Sequence, residues 1–362
     1  MTLMKQNLKL LHTTLADAPE YRSKLKKLIE TNFNYSNSNS LFDDFAPLFS
    51  KANSPNNHIL IDKESKELIG HCGLWPRTIV IKDNKFPVVL IGGIAINQNY
   101  QGQGLFRKFF EDCLNPSQKS TSLYILWSDL SELYSKLGFY EVGIQDQLGL
   151  QKFNMATISK CFKQVSWRDL KDKEFRRIIQ IHEQFTSNKE KLVYLERTPK
   201  IWNELKNISS TNLFLYYPEN TNQFEGYFFI NKGMDLPNII HDYGCTPKYE
   251  RDFFSLLSPY QVWSPAGLTQ LSSYKQFYTC FMGAGDSKQF QKLLNTLDSD
   301  NHYEILEIMN GTQVHMKKNG KQEKISLESI LRLYFGPYTE QQQADALDKK
   351  YHPLYIGGLE SI

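Results

Sequence analysis

The stretch Val88–Leu114, VVLIGGIAINQNYQGQGLFRKFFEDCL, leaves few folds open. It begins with a near-continuous apolar run, Val88-Val89-Leu90-Ile91 and then Ile94-Ala95-Ile96, which reads as a strand buried on both faces. The polar turn Asn97-Gln98-Asn99-Tyr100 and the segment Gln101-Gly102-Gln103-Gly104 follow, and a helix is predicted to open at once. Leu105, Phe106, Phe109, Phe110, Cys113 and Leu114 recur at helical spacing, so one face of that helix packs on the sheet. A strand, a glycine loop and a helix start in this order make an anion-binding device. Glycine lets the backbone approach closely, and the unpaired N–H groups of the first turn point outward.

The spacing excludes two common anion loops. Arg107 stands where a dinucleotide fingerprint needs its third glycine, and no Gly-Lys-Ser/Thr follows as in a P-loop. A plain glycine turn between a strand and a helix is the bland alternative. The stretch resembles the Gln/Arg-x-x-Gly-x-Gly/Ala signature of GNAT acyltransferases, with Gln101 at the first position and Gly104 at the fourth. Phe106 replaces the last small residue, which leaves its N–H available but less room. The resemblance implies that Gln101, Gly102, Gln103, Gly104, Leu105 and Phe106 hold the pyrophosphate of acetyl-CoA; the basic pair Arg107-Lys108 either meets the CoA phosphates or forms a solvated helix face. It also implies that the thioester lies along Ile94, Ala95 and Ile96.

A second element stands about 30 residues on. Leu123–Trp127 reads as another buried strand, and Ser128-Asp129 as the start of a short helix. Asp129 and Glu132 are at capping-box spacing, and Leu130, Leu133 and Leu137 form an apolar stripe. Gly138 is placed to close that helix in a left-handed conformation. The segment Tyr134-Ser-Lys-Leu-Gly-Phe139 resembles the Tyr-x-x-x-Gly-Phe element of the same family, in which the tyrosine protonates the departing thiolate. The alternative is that Tyr134, one of 20 tyrosines, serves only packing.

The chain has 362 residues, enough for two or three domains. A net charge of +3 gives no nucleic-acid footprint. The five cysteines are scattered with no CxxC, so neither a disulfide framework nor a metal site is expected. No apolar run reaches the ~18 residues of a membrane span, and a cytoplasmic protein is expected. The histidines are dispersed. His71 and His241 sit in apolar strands and read as satisfied core groups, and no Gly-x-Ser-x-Gly elbow occurs.

Before the glycine loop the pattern predicts a strand at Leu8–Thr14, a helix at Asp17–Asn32, a second helix at Leu41–Phe49, and a hairpin of His58–Ile61 with Leu68–Leu74. A further hairpin, Thr78–Ile81 with Phe86–Ile96, resembles an addition found in the "enhanced intracellular survival" acetyltransferases. Beyond a patternless Gln151–Cys161, an αβ order recurs with strands at 212–217, 226–230 and 237–243. Its equivalent turn, Tyr243-Gly244-Cys245-Thr246-Pro247-Lys248, lacks the second glycine, and Pro247 removes a donor. An unrelated α+β domain is the alternative. A last unit carries a hairpin across Asn310-Gly311 and a helix capped by Ser326. It is similar to the short sterol-carrier-like domain of that acetyltransferase family.

The expected fold is α/β (α+β), a GNAT acyl-CoA N-acyltransferase fold with a mixed sheet flanked by helices. The expected division is a catalytic GNAT domain at 1–155, a degenerate GNAT-like domain at 156–286 and the small sterol-carrier-like unit at 287–362. The expected activity is an acetyl-CoA-dependent N-acetyltransferase working by direct attack in a ternary complex on a small-molecule or peptide amine. No nucleic acid, membrane or metal is expected, and homo-oligomerisation is left open. A non-catalytic CoA- or lipid-binding module, or a transferase of a larger acyl or aminoacyl group, are the alternatives. The apolar chain end Leu354-Tyr355-Ile356 reads as a docking segment. The resemblance implies that the α-carboxylate of Ile362 helps deprotonate the amine. Removal of Glu360–Ile362 is expected to leave the fold intact.

Overall fold

The computed structural model describes residues 8–35, 40–154, 158–269, 271–337 and 351–362. In chain order, β1 (Leu10–Thr14), α1 (Arg22–Asn32) and α2 (Leu41–Asp44) precede β2 (Asn57–Asp62), β3 (Leu68–Ile81) and β4 (Asn84–Ile96). Next come α3 (Leu105–Leu114), β5 (Leu123–Leu126), α4 (Ser131–Ser135) and β6 (Tyr140–Gln147). The middle of the chain holds β7 (Phe162–Val165), α5 (Asp172–Ser187), β8 (Val193–Leu195), α6 (Pro199–Leu205), β9 (Asn212–Tyr216), β10 (Gly226–Ile230), β11 (Ile240–Cys245) and α7 (Glu250–Leu257). The last part holds β12 (Trp263–Pro265), β13 (Lys275–Ala284), α8 (Ser287–Leu297), β14 (Tyr303–Met309), β15 (Gln313–Lys318), β16 (Lys321–Ser326), α9 (Leu327–Phe335) and β17 (Leu354–Tyr355).

The main sheet runs β1-β2-β3-β4-β5-β13-β6-β12, with β8 on β3 and β17 on β8. It is mixed: β4 and β5 are parallel, while β13 is antiparallel to both its neighbours. Apolar residues alternate between its two sides. Val89 and Ile91 pack with Phe109, Phe110 and Cys113 of α3, while Val88 and Leu90 join the core beneath α1, α8 and α9. Burial of each such side chain contributes roughly 1.5–3 kcal/mol. Smaller sheets, β11-β10-β9-β7 and β14-β15-β16, are antiparallel.

Several elements differ from expectation for local reasons. The two expected hairpins share one strand and form a three-stranded meander, because β3 continues without a break from Leu68 to Ile81 and pairs with β2 and β4. The second helix stops at Asp44, three residues before Pro47, whose ring disfavours helical geometry in the residue before it. Helix α4 begins at Ser131 with Leu130 as its cap, so Asp129 and Glu132 do not form the expected box. Ser128 Oγ instead accepts from the Leu130 N–H at 3.0 Å. Leu130 and Leu133 are 54% and 38% exposed, and only Tyr134 and Leu137 of that stretch pack inward. Strand β13, read in the sequence with the middle part of the chain, lies between β5 and β6 of the main sheet.

The chain end is built into the core. β17 pairs in parallel with β8, Leu354 opposite Val193 and Tyr355 opposite Tyr194. The Tyr355 hydroxyl donates to the Tyr243 carbonyl at 2.8 Å and accepts from its N–H at 3.0 Å. Glu360 is 1% exposed and accepts from Arg197 Nε at 3.0 Å and Nη2 at 2.8 Å. It also forms a 2.5 Å ion pair with Arg77 Nη2. Arg197 holds Asp242 with its other edge. Removing Glu360–Ile362 therefore leaves the buried Arg77 without its carboxylate and Arg197 with Asp242 alone, which argues against the expectation that the fold survives that deletion.

Burial pushes the Glu360 carboxyl up, but Arg197 and Arg77 more than offset it and leave it below the usual range. A depressed carboxyl stabilises the fold above its unfolded value near 4.5, and that contribution is lost as pH falls through the lower folded value. Glu360→Gln is expected to cost about 3–5 kcal/mol at neutral pH, the usual penalty of breaking a buried pair. Urea unfolding should show the gap between wild type and variant closing below about pH 4.

Candidate active site

The pairing of β4 with β5 stops early. It runs from Val88 opposite Leu123 to Ile91 opposite Leu126, whereas β4 continues to Ile96 against β3 alone. A bulge at His71–Gly73 leaves Gly93 in a left-handed conformation, φ +59°. His71 fixes this bulge: its Nδ1 donates to the Gly93 carbonyl at 2.6 Å. Burial pulls the His71 pKa down to about 4, and its ring is enclosed as the sequence suggests. The backbone of Gly92–Ile96 thus faces a wedge with no strand on its β5 side.

That wedge opens into a cavity of about 1160 Å³. Gly102 and Gly104 line one end of it, with φ of +74° and +77°. No atom lies within 4 Å of where a Cβ would stand on either residue. Glycine is required here by backbone conformation, and the space beside it is open to a ligand. Gly104 caps α3 without any side-chain acceptor, so the first amides of that helix are presented to the cavity end. Leu105, Phe106 and Arg107 line the same end. The Phe106 ring packs against Phe110 at 5.5 Å and edge-on to Tyr134 at 6.2 Å. Gln101 Nε2 donates back to the Ile96 carbonyl at 2.9 Å and Gln103 Nε2 to the Asn99 carbonyl at 3.3 Å, so both brace the loop. Arg107 donates to the Lys136 carbonyl and pairs with Glu111.

Tyr134 stands opposite the β4 edge, also against the cavity. Rings of Phe106, Phe110, Phe139 and Phe281 surround it, and it is 5% exposed. Burial raises its pKa well above the ordinary phenol value, with Cys72 and Asp129 adding to the effect, so the hydroxyl is protonated at neutral pH. The exposed Leu130 and Leu133 find their role here, since both face the cavity rather than the core.

The chain end enters the same cavity from the far side. Ser361 and Ile362 line it, and a methyl group on Gly92 would come within 2.6 Å of the terminal carboxyl carbon. Lys232 holds this end: its Nζ donates to the Gly358 carbonyl at 2.8 Å and to the Ser361 carbonyl. Burial pulls the Lys232 pKa down to about 8 despite Asp235 and Asp44 nearby. Sequence reasoning missed Lys232 and Asp235, because nothing local marks them; they reach the site only through the fold. His241 was read as a satisfied core group. Its Nε2 bonds the Asn231 carbonyl at 2.9 Å, yet its Nδ1 lacks a partner and it lines the cavity.

A protein-family model described as an acetyltransferase (GNAT) domain matches residues 18–143, the segment that carries β2–β5, α3 and α4. Residues 18–143 form a GNAT acetyltransferase domain. The chain is accordingly an acyltransferase. No curated protein matches the sequence. Among solved structures, a GCN5-related N-acetyltransferase from Anabaena variabilis is 16% identical, over 93% of this chain and 92% of that one, with a TM-score of 0.59. One from Kribbella flavida is 10% identical over 98% of each chain, TM-score 0.61. An N-myristoyltransferase from Saccharomyces cerevisiae with bound myristoyl-CoA is 10% identical over 78% of this chain and 83% of that one, TM-score 0.50. At such identities the likeness is one of fold. None of the helices among the described residues is long and apolar enough to cross a membrane.

Gly104→Glu adds bulk, charge and an unfavourable φ to the GNAT loop. Calorimetric titration with acetyl-CoA is expected to show binding abolished. The melting temperature should shift by only a few degrees, because no side chain is displaced.

Proposed function

We propose that the chain is an acyl-CoA-dependent N-acetyltransferase that passes an acetyl group directly to an amine in a ternary complex. The observation that carries this reading is the convergence on one cavity of the glycine loop, the unpaired β4 edge, Tyr134 and the C-terminal Ile362. In this reading Gly102–Phe106 hold the pyrophosphate through backbone N–H groups, and Gln101, Gln103 and Arg107 shape the loop. The thioester carbonyl lies along Ile94–Ile96, where backbone N–H groups turned to the side without β5 polarise it. The amine nitrogen attacks the carbonyl carbon, the C–S bond breaks, and the Tyr134 hydroxyl gives its proton to the thiolate. The terminal carboxylate of Ile362 takes up the proton that the amine loses. A free α-carboxyl titrates near ~3.5, so service as base requires its surroundings to raise that value. Asp235, also on the cavity, suits a cationic acceptor.

One feature favours a second reading. Trp127, Trp263 and Phe277 are also among the residues lining the cavity of about 1160 Å³. Such apolar walls suit a longer acyl group, or an acceptor with an apolar body. The middle sheet, with Pro247 at its loop position, is read as a degenerate GNAT-like half, and the small β14–β16 unit as sterol-carrier-like. The five free cysteines suit a reducing, cytoplasmic location.

Acyl-CoAs of increasing chain length, assayed for CoA release against polyamines, aminoglycosides, amino acids and peptides, test the reading. Turnover fastest with acetyl-CoA supports it, and no turnover with any pair removes it. Tyr134→Phe is expected to lower kcat by ~10²–10⁴-fold with CoA affinity nearly unchanged. A wild-type rate would make Tyr134 a packing residue. Appending a few residues after Ile362 moves the carboxylate while leaving Glu360 in place. The extended chain should fold and bind acetyl-CoA yet lose transfer; full activity would exclude the carboxylate role.

A further inference from the structure

We propose that His12, His58 and Cys113 form a transition-metal site, suited to zinc or a similar borderline-soft divalent ion, that ties α3 to the first two strands. The register of β1 on β2 sets Thr14 opposite His58 and His12 opposite Leu60, so both imidazoles lie on one face of the sheet. Helix α3 covers that face and contributes Cys113. His12 Nε2 is 3.1 Å from His58 Nδ1, and Cys113 Sγ is 3.8 Å from the same His12 Nε2. The three donor atoms all lie within 4.8 Å of one another.

The two separations from His12 are close to those around a tetrahedral ion, and the third, within 4.8 Å, closes on modest rotation of the side chains. Bonds of 2.0–2.1 Å to nitrogen and 2.3 Å to sulfur imply a nitrogen–nitrogen edge of about 3.3 Å and a nitrogen–sulfur edge of about 3.6 Å. A purely hydrogen-bonded trio fits less well. The His12 Nε2 meets both a ring nitrogen and a thiol, yet an imidazole nitrogen has either one in-plane lone pair or one N–H. It serves only one of these contacts fully. One cation between the three atoms would receive a lone pair from each. Cys113 and His58 are buried, and His12 lies part-buried on the outer strand, where an ion can enter. Cys72, opposite His58 in the β2–β3 register, offers a further thiol beside the cluster. Binding forms two N–metal bonds and one S–metal bond and releases the Cys113 thiol proton to solvent. The ligands are too far apart in sequence to show as a motif. The site stands apart from the transfer cavity, and it braces the helix whose start presents the glycine loop.

The test uses the full, untagged chain stripped with a chelator and titrated with Co²⁺. The expected result is one equivalent bound, with a thiolate-to-cobalt charge-transfer band in the near ultraviolet that stoichiometric Zn²⁺ abolishes. Cys113→Ala should lose the band. His58→Ala and the better-packed His58→Gln should each weaken binding by more than the ~10–100-fold that loss of an outer-shell partner costs. Cys161→Ala, remote from the cluster, should keep the band. Zn²⁺ should raise the melting temperature of wild type and not of Cys113→Ala. Absence of the band at stoichiometric cobalt in folded wild type, or its survival in Cys113→Ala, overturns the proposal and leaves the trio as packing.

Discussion

Everything in this molecule that bears on chemistry depends on two parallel strands that part. A sheet normally satisfies backbone groups by pairing, and a strand edge left open inside a protein is costly. Here β4 and β5 share only the ladder from Val88/Leu123 to Ile91/Leu126. Strand β13 fills the gap on the far side of β5, and the bulge held by His71 turns the β4 backbone at Gly93. The free edge from Gly92 to Ile96 is the part of the sheet that lines the cavity, and on the proposed reading it meets the thioester carbonyl. The glycine loop at one end of the wedge and α4 at the other follow from where those two strands stop.

A second constraint closes the wedge from behind. The chain returns from the small β14–β16 unit, adds β17 to the main sheet, and ends against Gly92. Charge holds it there. Glu360 lies between Arg77 and Arg197, and Arg197 also carries Asp242, so four residues from separate parts of the chain meet in one buried network. Buried ion pairs of this kind contribute modest net stability, because desolvation offsets most of the attraction. Their effect is positional: any other path for the last residues would leave the Arg77 guanidinium without its carboxylate and Arg197 with Asp242 alone. Lys232 adds a second tie through the Gly358 and Ser361 carbonyls.

The local half of this was legible in the sequence. Periodicity and glycine placement located β4, the loop and α3, because each depends on residues within one window, and the positive φ of Gly102, Gly104 and Gly138 bears out the glycine reading. The spacing of Tyr134 from Gly138 and Phe139 was visible for the same reason. What failed was local but overruled. The helix expected to Phe49 stops ahead of Pro47, and the box at Asp129 yields to Ser128. The apolar stripe of Leu130, Leu133 and Leu137 divides: Leu137 packs inward, while Leu130 and Leu133 border the cavity. What was invisible is non-local. Strand β13 enters the main sheet from more than a hundred residues away, and Arg77, Arg197 and Lys232 carry no motif.

The two ties on the chain end do different physical work. Glu360 is a fixed anion between fixed cations, and it sets where the backbone of the last residues lies. Ile362, two residues further, is half-buried with its carboxyl group at the β4 edge, beyond the reach of that pairing. The network therefore separates position from reactivity. Were the terminal carboxylate itself paired with Arg77 or Arg197, its affinity for a proton would fall, and it could position a cation but hardly accept a proton from one. Glu360 takes those guanidinium groups instead, and Lys232 ties the chain end through the Gly358 and Ser361 carbonyls, so the last residue stays on the cavity where the proposed transfer would need it.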